Sequence, residues 1–256
     1  MIADRKVSRT IRKFILWFCV TSCHFFTGQR KFQEKKLPLP MIILDISCRK
    51  PGIAEESHLP LNIKVYIDMK KILFVVGSFR QQSFNKQLAA EAEKLIGNRG
   101  EVSYLDYVDL PFINQDIEYP APVAVTRVRE AVALADGMWI FSPEYNFSFP
   151  GHIKNLIDWL SRPLDPINKS LPLAINRKKI ALSGAGGGAA TARCRQKLSE
   201  LLKLPYINAD VMDSPQTGVA LDQEAWTNGI FTLSDKNKAD LAAQTEAFLD
   251  YLNLKG

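Results

Sequence analysis

Between residues 70 and 254, short apolar runs alternate with stretches of helical period, and the runs are continuous instead of polar at every second position. The first is Ile72-Leu73-Phe74-Val75-Val76. Five successive apolar positions leave no polar face to turn to water, so this run predicts a strand buried on both sides, the kind found in parallel sheets. A helix over 85–96 follows, with Leu88, Ala92 and Leu95 on one side, and then a strand at 102–105. A loop over 109–122 leads into a helix carrying Val125, Val128, Val132 and Ala135, after which Gly137-Met138-Trp139-Ile140-Phe141 forms a third strand. A helix over 152–160, a strand over 179–183, a helix over 190–202, a fifth strand near 206–211 and a last helix over 236–252 complete the series. Five strand-then-helix repeats predict a three-layer α/β/α sandwich, doubly wound around a five-stranded parallel sheet. Ligands of such sheets bind beyond the carboxyl ends of the strands, where the winding reverses. The chemistry is therefore expected in the loops after strands one, three and four.

Residues 1–68 show no such period and carry scattered prolines at 38, 40, 51 and 60, so they are expected to form a poorly ordered extension ahead of a folded domain at 69–256. Met69 stands directly before the first strand as a candidate initiator. Basic residues over 5–13 followed by an apolar run over 14–26 have the layout of a signal peptide, which makes export through residues 5–26 the minor alternative to a cytoplasmic location. The run is too short to span a bilayer comfortably, so no stable membrane insertion is expected.

The formal charge of +6 changes meaning once it is located. Residues 1–68 hold 12 Lys and Arg against 6 Asp and Glu, while the remaining 21 basic residues are matched by 21 acidic ones. The folded part is neutral, which argues against nucleic acid as a partner. Cys194 is the one cysteine of that part, so there is no disulfide framework, and on a helix it reads as a small buried hydrophobe. His24, His58 and His152 share no metal-ligand spacing, and no metal site is expected.

The first loop, Gly77-Ser78-Phe79-Arg80-Gln81-Gln82-Ser83-Phe84-Asn85, joins a strand to a helix N-terminus. Free backbone N–H groups and the positive end of the helix dipole favour an anion there. Hydroxyl and amide side chains add donors, and Arg80 supplies charge for a dianionic phosphate monoester. Ser83 alone would read as a helix cap. Without a Lys-Ser/Thr pair closing a longer glycine loop, the segment is not a nucleoside triphosphate site. The second loop, Ser142-Pro143-Glu144-Tyr145-Asn146-Phe147-Ser148-Phe149-Pro150-Gly151, has two stiffening prolines and offers backbone amides and Asn146 to the edge of a planar heterocycle. Glu144 has neither a paired carboxylate nor a histidine and is not read as a general base. In the third loop, Ser183-Gly184-Ala185-Gly186-Gly187-Gly188, glycine lets backbone approach a flat ligand. Read through Ala189, with Asp210 further on, it also matches the dinucleotide fingerprint G-x-G-x-x-A. That fingerprint normally opens a βαβαβ half, whereas here three strand–helix units precede it.

Together, Gly77-Ser-x-Arg-x-x-Ser-x-Asn85, Pro143-Glu-Tyr-Asn146 with Pro150-Gly151-x-x-Lys154-Asn155, and the glycine loop at Ser183 resemble the NADPH-dependent FMN reductase family, which includes quinone, azo and chromate reductases. Leu110-Pro-Phe-Ile-Asn-Gln-Asp116 is similar to the family's loop after the second strand. The resemblance spans about residues 70–254 and implies a flavodoxin-like fold. It implies that Ser78, Arg80, Ser83 and Asn85 hold the FMN phosphate. Pro143, Glu144, Tyr145 and Asn146 then line the isoalloxazine, with Ser183, Gly184 and Gly186 on its other side. The activity implied is two-step hydride transfer, from NADPH or NADH to FMN and on to a quinone, azo compound, chromate or free flavin. No protein side chain acts as a catalytic acid or base in it. Homodimers or homotetramers, with the flavin near a subunit boundary, are implied as well. His152 departs from the pattern, which has an apolar residue after Pro-Gly, as does the very glycine-rich third loop. Two alternatives stay open: a flavodoxin-like electron carrier without NAD(P)H oxidase activity, and a dinucleotide-binding dehydrogenase using residues 184–188.

Overall fold

Ile72, Leu73, Phe74 and Val75 are all buried, and so is every residue of Gly137–Phe141, because helices cover both faces of the sheet these runs form. The computed structural model of the chain describes residues 42–46, 63–67, 69–165, 167–168 and 173–253. The signal-like stretch at 5–26, the cysteines at 19, 23 and 48 and the histidines at 24 and 58 lie outside the described residues. Within the N-terminal 68, Ile42–Ile46 pairs antiparallel with Ile63–Ile67, with Ile42 opposite Ile67, a pairing that the sequence reading does not anticipate.

The main sheet contains β1 (Lys70–Val76), β2 (Gly100–Tyr104), β3 (Gly137–Phe141), β4 (Lys179–Gly186), β5 (Asp210–Val211) and β6 (Gly218–Ala220). All pairings are parallel, in the order β2-β1-β3-β4-β5, with β6 beside the end of β4. This is the doubly wound 2-1-3-4-5 order, in which winding reverses between β1 and β3. The expected fifth strand is split. Asp210 and Val211 pair with Lys179 and Ile180, and then Gly218, Val219 and Ala220 pair with Gly184, Ala185 and Gly186. The break falls at residues 212–217, where Pro215 has no N–H to donate to a ladder.

The helices are α1 (Phe84–Ile96), α2 (Val123–Leu134), α3 (Gly151–Leu160), α4 (Ala192–Leu202), α5 (Gln223–Asn228) and α6 (Asp235–Asn253). Strand alternation sorts the core into two. Ile72, Phe74, Trp139 and Phe141 face Leu88, Ala92 and Ile96 of α1 and Leu241 and Phe248 of α6. Leu73, Val75, Met138 and Ile140 face α2, α3 and α4 through Val128, Ile153, Leu156 and Leu198. Helices α2, α3 and α6 fall within a few residues of their expected spans, and β4 runs three residues further than expected, into the glycine segment.

Register brings the functional edge together. Val76 is opposite Phe141, which is opposite Ser183, so β1, β3 and β4 reach one level before their loops depart.

Candidate functional site

The first loop leaves β1 at Gly77, whose N–H donates to the Phe141 carbonyl (2.8 Å). The loop's start lies against Pro143 and Ser142, where an added methyl at Gly77 would meet the proline ring at 3.2 Å. Ser83 caps α1, its hydroxyl accepting from the Lys86 N–H at 3.2 Å. Between them, no acceptor among the described residues faces the backbone N–H groups of 78–82 or the Ser78 hydroxyl. The Arg80 guanidinium lies 5.1 Å over the Phe84 ring and forms no ion pair among the described residues. Unspent amides, a helix N-terminus and an unpaired guanidinium are the donor types that suit a phosphate monoester.

Asn85, at the start of α1, reaches across to β4. Its carboxamide is buried, donating to the Ala185 carbonyl and accepting from the Ala185 N–H, both at 2.9 Å. It is a bracket between α1 and β4, with both functions of the amide already engaged. The Ser183 hydroxyl, fully buried, accepts from Trp139 Nε1 (2.9 Å) and donates to Gln244 Oε1 (2.7 Å). Gln244 also takes the Thr217 N–H (2.7 Å) and donates to the Leu182 carbonyl (2.9 Å), so this hub ties α6 to β4 and to the start of β6.

The second loop closes as a two-residue hairpin: Tyr145 N–H donates to the Ser148 carbonyl (2.9 Å) and Ser148 N–H to that of Tyr145 (3.0 Å). Asn146 at φ 49° and Phe147 at φ 59° are both left-handed, as a type I′ turn requires. Asn tolerates that region, while Phe at φ 59° is strained. Tyr145 and Phe147 are left exposed, and the Arg193 guanidinium lies 4.5 Å over the Phe147 ring. Pro143 is buried against Gly77. The Glu144 carboxylate accepts from the Cys194 N–H (2.9 Å) and so caps the first turn of α4 from across the cleft.

The third loop departs later than expected. Gly184 and Gly186 belong to β4, and a methyl on Gly184 would run into the Ser142 carbonyl and the Thr191 side chain. The glycine there permits close packing of two strand ends, and the G-x-G-x-x-A spacing therefore lies partly inside a strand, with its first glycines away from any phosphate-binding turn. That removes the geometric basis for a dinucleotide fingerprint. Gly187 and Gly188, with nothing within 4 Å of an added Cβ, line a cleft of about 320 Å³ together with Glu144, Asn146, Phe147, Ala189 and Thr191. The sequence reading uses Ala189 only as the end of a dinucleotide fingerprint and misses Thr191. Nothing in their type marks them, and they reach the cleft because Ala190 (φ 47°) and Thr191 (φ 59°) turn the chain into α4.

Two neighbours of the first loop were also not anticipated. Phe79 stacks on the His152 imidazole, with centroids 4.3 Å apart, and packs beside Tyr107 at 5.0 Å. Burial holds the His152 pKa below its ordinary value, opposed by a hydrogen bond with the Gly77 backbone. On the other side, α5 and the residue that follows it meet α1: Gln87 donates to the Gly229 carbonyl (2.8 Å), and Phe84 packs edge-on against Trp226. Cys194 is buried as expected, its thiol pushed up to about 11 chiefly by burial. Among the described residues no cluster of His, Cys, Asp and Glu is arranged to hold a metal.

The profile of the NADPH-dependent FMN reductase family matches residues 70–224, which contain all three loops. An NAD(P)H-dependent FMN reductase of Pseudomonas aeruginosa is 30% identical over 178 residues, covering 69% of this chain and 92% of the relative. A quinone reductase of Escherichia coli K12 is 32% identical over 169 residues, covering 60% of this chain and 86% of the relative. Among solved structures, a flavoenzyme NAD(P)H:(acceptor) oxidoreductase from Paracoccus denitrificans superposes with a TM-score of 0.62 at 30% identity, covering 72% of this chain and 97% of its own. From its three loops, its 2-1-3-4-5 sheet and these likenesses, the chain belongs to the NADPH-dependent FMN reductase family.

Proposed function

We propose that the chain is an FMN-dependent NAD(P)H oxidoreductase that reduces quinones or similar small oxidants, azo compounds, chromate and free flavin among them. One observation carries the reading: the unpartnered amides of residues 78–82 and the unpaired Arg80 stand at the same sheet edge as the cleft between residues 144–147 and 187–191. A phosphate on the first and a flat ring system in the second match FMN in charge and shape. When bound, FMN supplies a hydride acceptor that can pass both electrons to a second substrate at the same face. The chain's own residues do the rest. Ser78, Arg80 and the α1 amides fix the phosphate end. The 145–148 hairpin, stiffened by Pro143 and Pro150, presents backbone to the ring edge. Gly187 and Gly188 leave the opposite side without side chains.

Homodimers or homotetramers are part of this proposal. They are supported by large apolar side chains left in water at the site's end of the sheet, Phe112 (84% exposed), Val108, Tyr145 and Phe147. A cytoplasmic location is proposed too, since NAD(P)H is supplied there. No described helix is long and apolar enough to cross a membrane.

The test is NAD(P)H oxidation by the FMN-reconstituted full-length chain with a benzoquinone, alongside Arg80→Ala. The reading expects turnover that depends on both FMN and quinone. It also expects Arg80→Ala to weaken FMN binding about tenfold or more, the worth of a charge-assisted phosphate contact. Turnover without FMN, or none with it, contradicts the reading.

A further inference from the structure

We propose that His152 is the positioning residue of the phosphate-binding loop, a role that rests on the flavin reading above and is specific to the phosphate end of the ligand. Three observations meet at this side chain. Its ring is the platform on which Phe79 stacks, at 4.3 Å and 28° between planes, and Phe79 lies between Ser78 and Arg80. The ring lies beside the backbone of Gly77, the residue at which the loop leaves β1, and that backbone opposes the burial that lowers the imidazole's pKa. Its Nε2 is buried with no hydrogen-bond partner among the described residues, an arrangement with a desolvation cost and no local return.

His152 belongs to the first turn of α3, and the residue after it, Ile153, is buried in the core with Leu156 and Ile157. The platform is thus anchored to a rigid element, whereas the loop above it has little of its own to hold it. Phe79 is 48% exposed, and Arg80, Gln81 and Gln82 are exposed too. Tyr107 completes the support, with its ring 5.0 Å from Phe79 and its hydroxyl donating to the Val76 carbonyl at 2.8 Å. Stacking on a ring set beside the loop's first residue restricts the conformations open to the loop. Affinity then rises because less order has to be gained on binding. An aliphatic residue at this position would fill the space but offer neither a flat face nor a polar atom.

The ligands that test this differ only in the phosphate. Full-length apoprotein is titrated with FMN and with riboflavin, following flavin fluorescence, for wild type, His152→Val, His152→Phe and Phe79→Ala, with melting temperatures recorded for each. In a folded His152→Val protein the FMN Kd should rise about tenfold while riboflavin changes less than about twofold, since the aromatic support is lost from the phosphate end alone. Phe79→Ala, in an exposed loop, should reproduce the loss, and adding it to His152→Val should make little further difference. His152→Phe, which restores a flat face, should recover part of the FMN affinity. An unchanged FMN Kd in folded His152→Val, or equal weakening of both flavins, overturns the proposal. Wild type that binds neither flavin overturns the flavin reading itself, and this inference with it.

Discussion

Asn85 and Ala185 exchange two hydrogen bonds of 2.9 Å, side-chain amide to peptide in both directions, across 100 residues of sequence. The pair locks the first turn of α1 to the end of β4, which fixes the first loop relative to the third. Asn85→Ala leaves a buried N–H and C=O of Ala185 unsatisfied, so it should lower stability by about 2–3 kcal/mol. Urea unfolding checks this. A change within about 0.5 kcal/mol, the range of ordinary surface substitutions, would contradict the bracket role.

Gly184 and Gly187, three positions apart, have opposite surroundings in the fold. Gly184→Ala drives a methyl into the Ser142 carbonyl and the Thr191 side chain, neither of which has room to yield, and should cost about 1–3 kcal/mol as overpacking. Gly187→Ala meets nothing within 4 Å and should stay within about 0.5 kcal/mol. Equal effects of the two in denaturant unfolding would show that β4 does not pack as described.

Cys194 is buried and its thiol is held at about 11 by that burial, so near pH 8 only about one thiol in a thousand is ionised. Iodoacetamide followed by peptide mapping should leave Cys194 unmodified in the native protein and alkylate it in urea. Rapid labelling of the native chain at this residue would point to a reactive thiol.

Glu118 is buried and receives two hydrogen bonds from Arg162, at 2.8 and 2.9 Å, which hold its carboxyl below the ordinary carboxylate value. A carboxyl with a depressed folded-state pKa contributes stability above its unfolded value, near pH 4.3, and loses it as pH falls through the folded value. Wild type should therefore exceed Glu118→Gln in melting temperature at neutral pH, with the gap closing in acid. A gap independent of pH would mean that the pair acts only by packing.

The sheet was legible because its central strands, such as 72–76 and 137–141, are continuous apolar runs whose burial on two faces leaves one interpretation. Arg80 and Ser83 stood out because charge and hydroxyls coincide at a predicted helix start, and Ser83 does cap that helix. Asn85 and Ser183 carry the same polar signature, yet one brackets Ala185 and the other joins Trp139 to Gln244. A buried amide or hydroxyl satisfies backbone as readily as ligand, and its partner lies a hundred or sixty residues away, beyond any local pattern. β6 and α5 escaped notice because each is short and buries little, Val219 in one and Ala225 in the other. Thr191 and Phe147 owe their places to left-handed backbone that neither residue type advertises.

The central claim is that this chain holds FMN and takes electrons from NAD(P)H. Its most direct test is the absorption spectrum of the purified full-length protein, with the released chromophore identified by chromatography, before and after anaerobic NADPH. Bands near about 375 and 450 nm that bleach on addition are the predicted result, as for a bound flavin reduced by a nicotinamide. A colourless protein that also fails to take up added FMN would contradict the account.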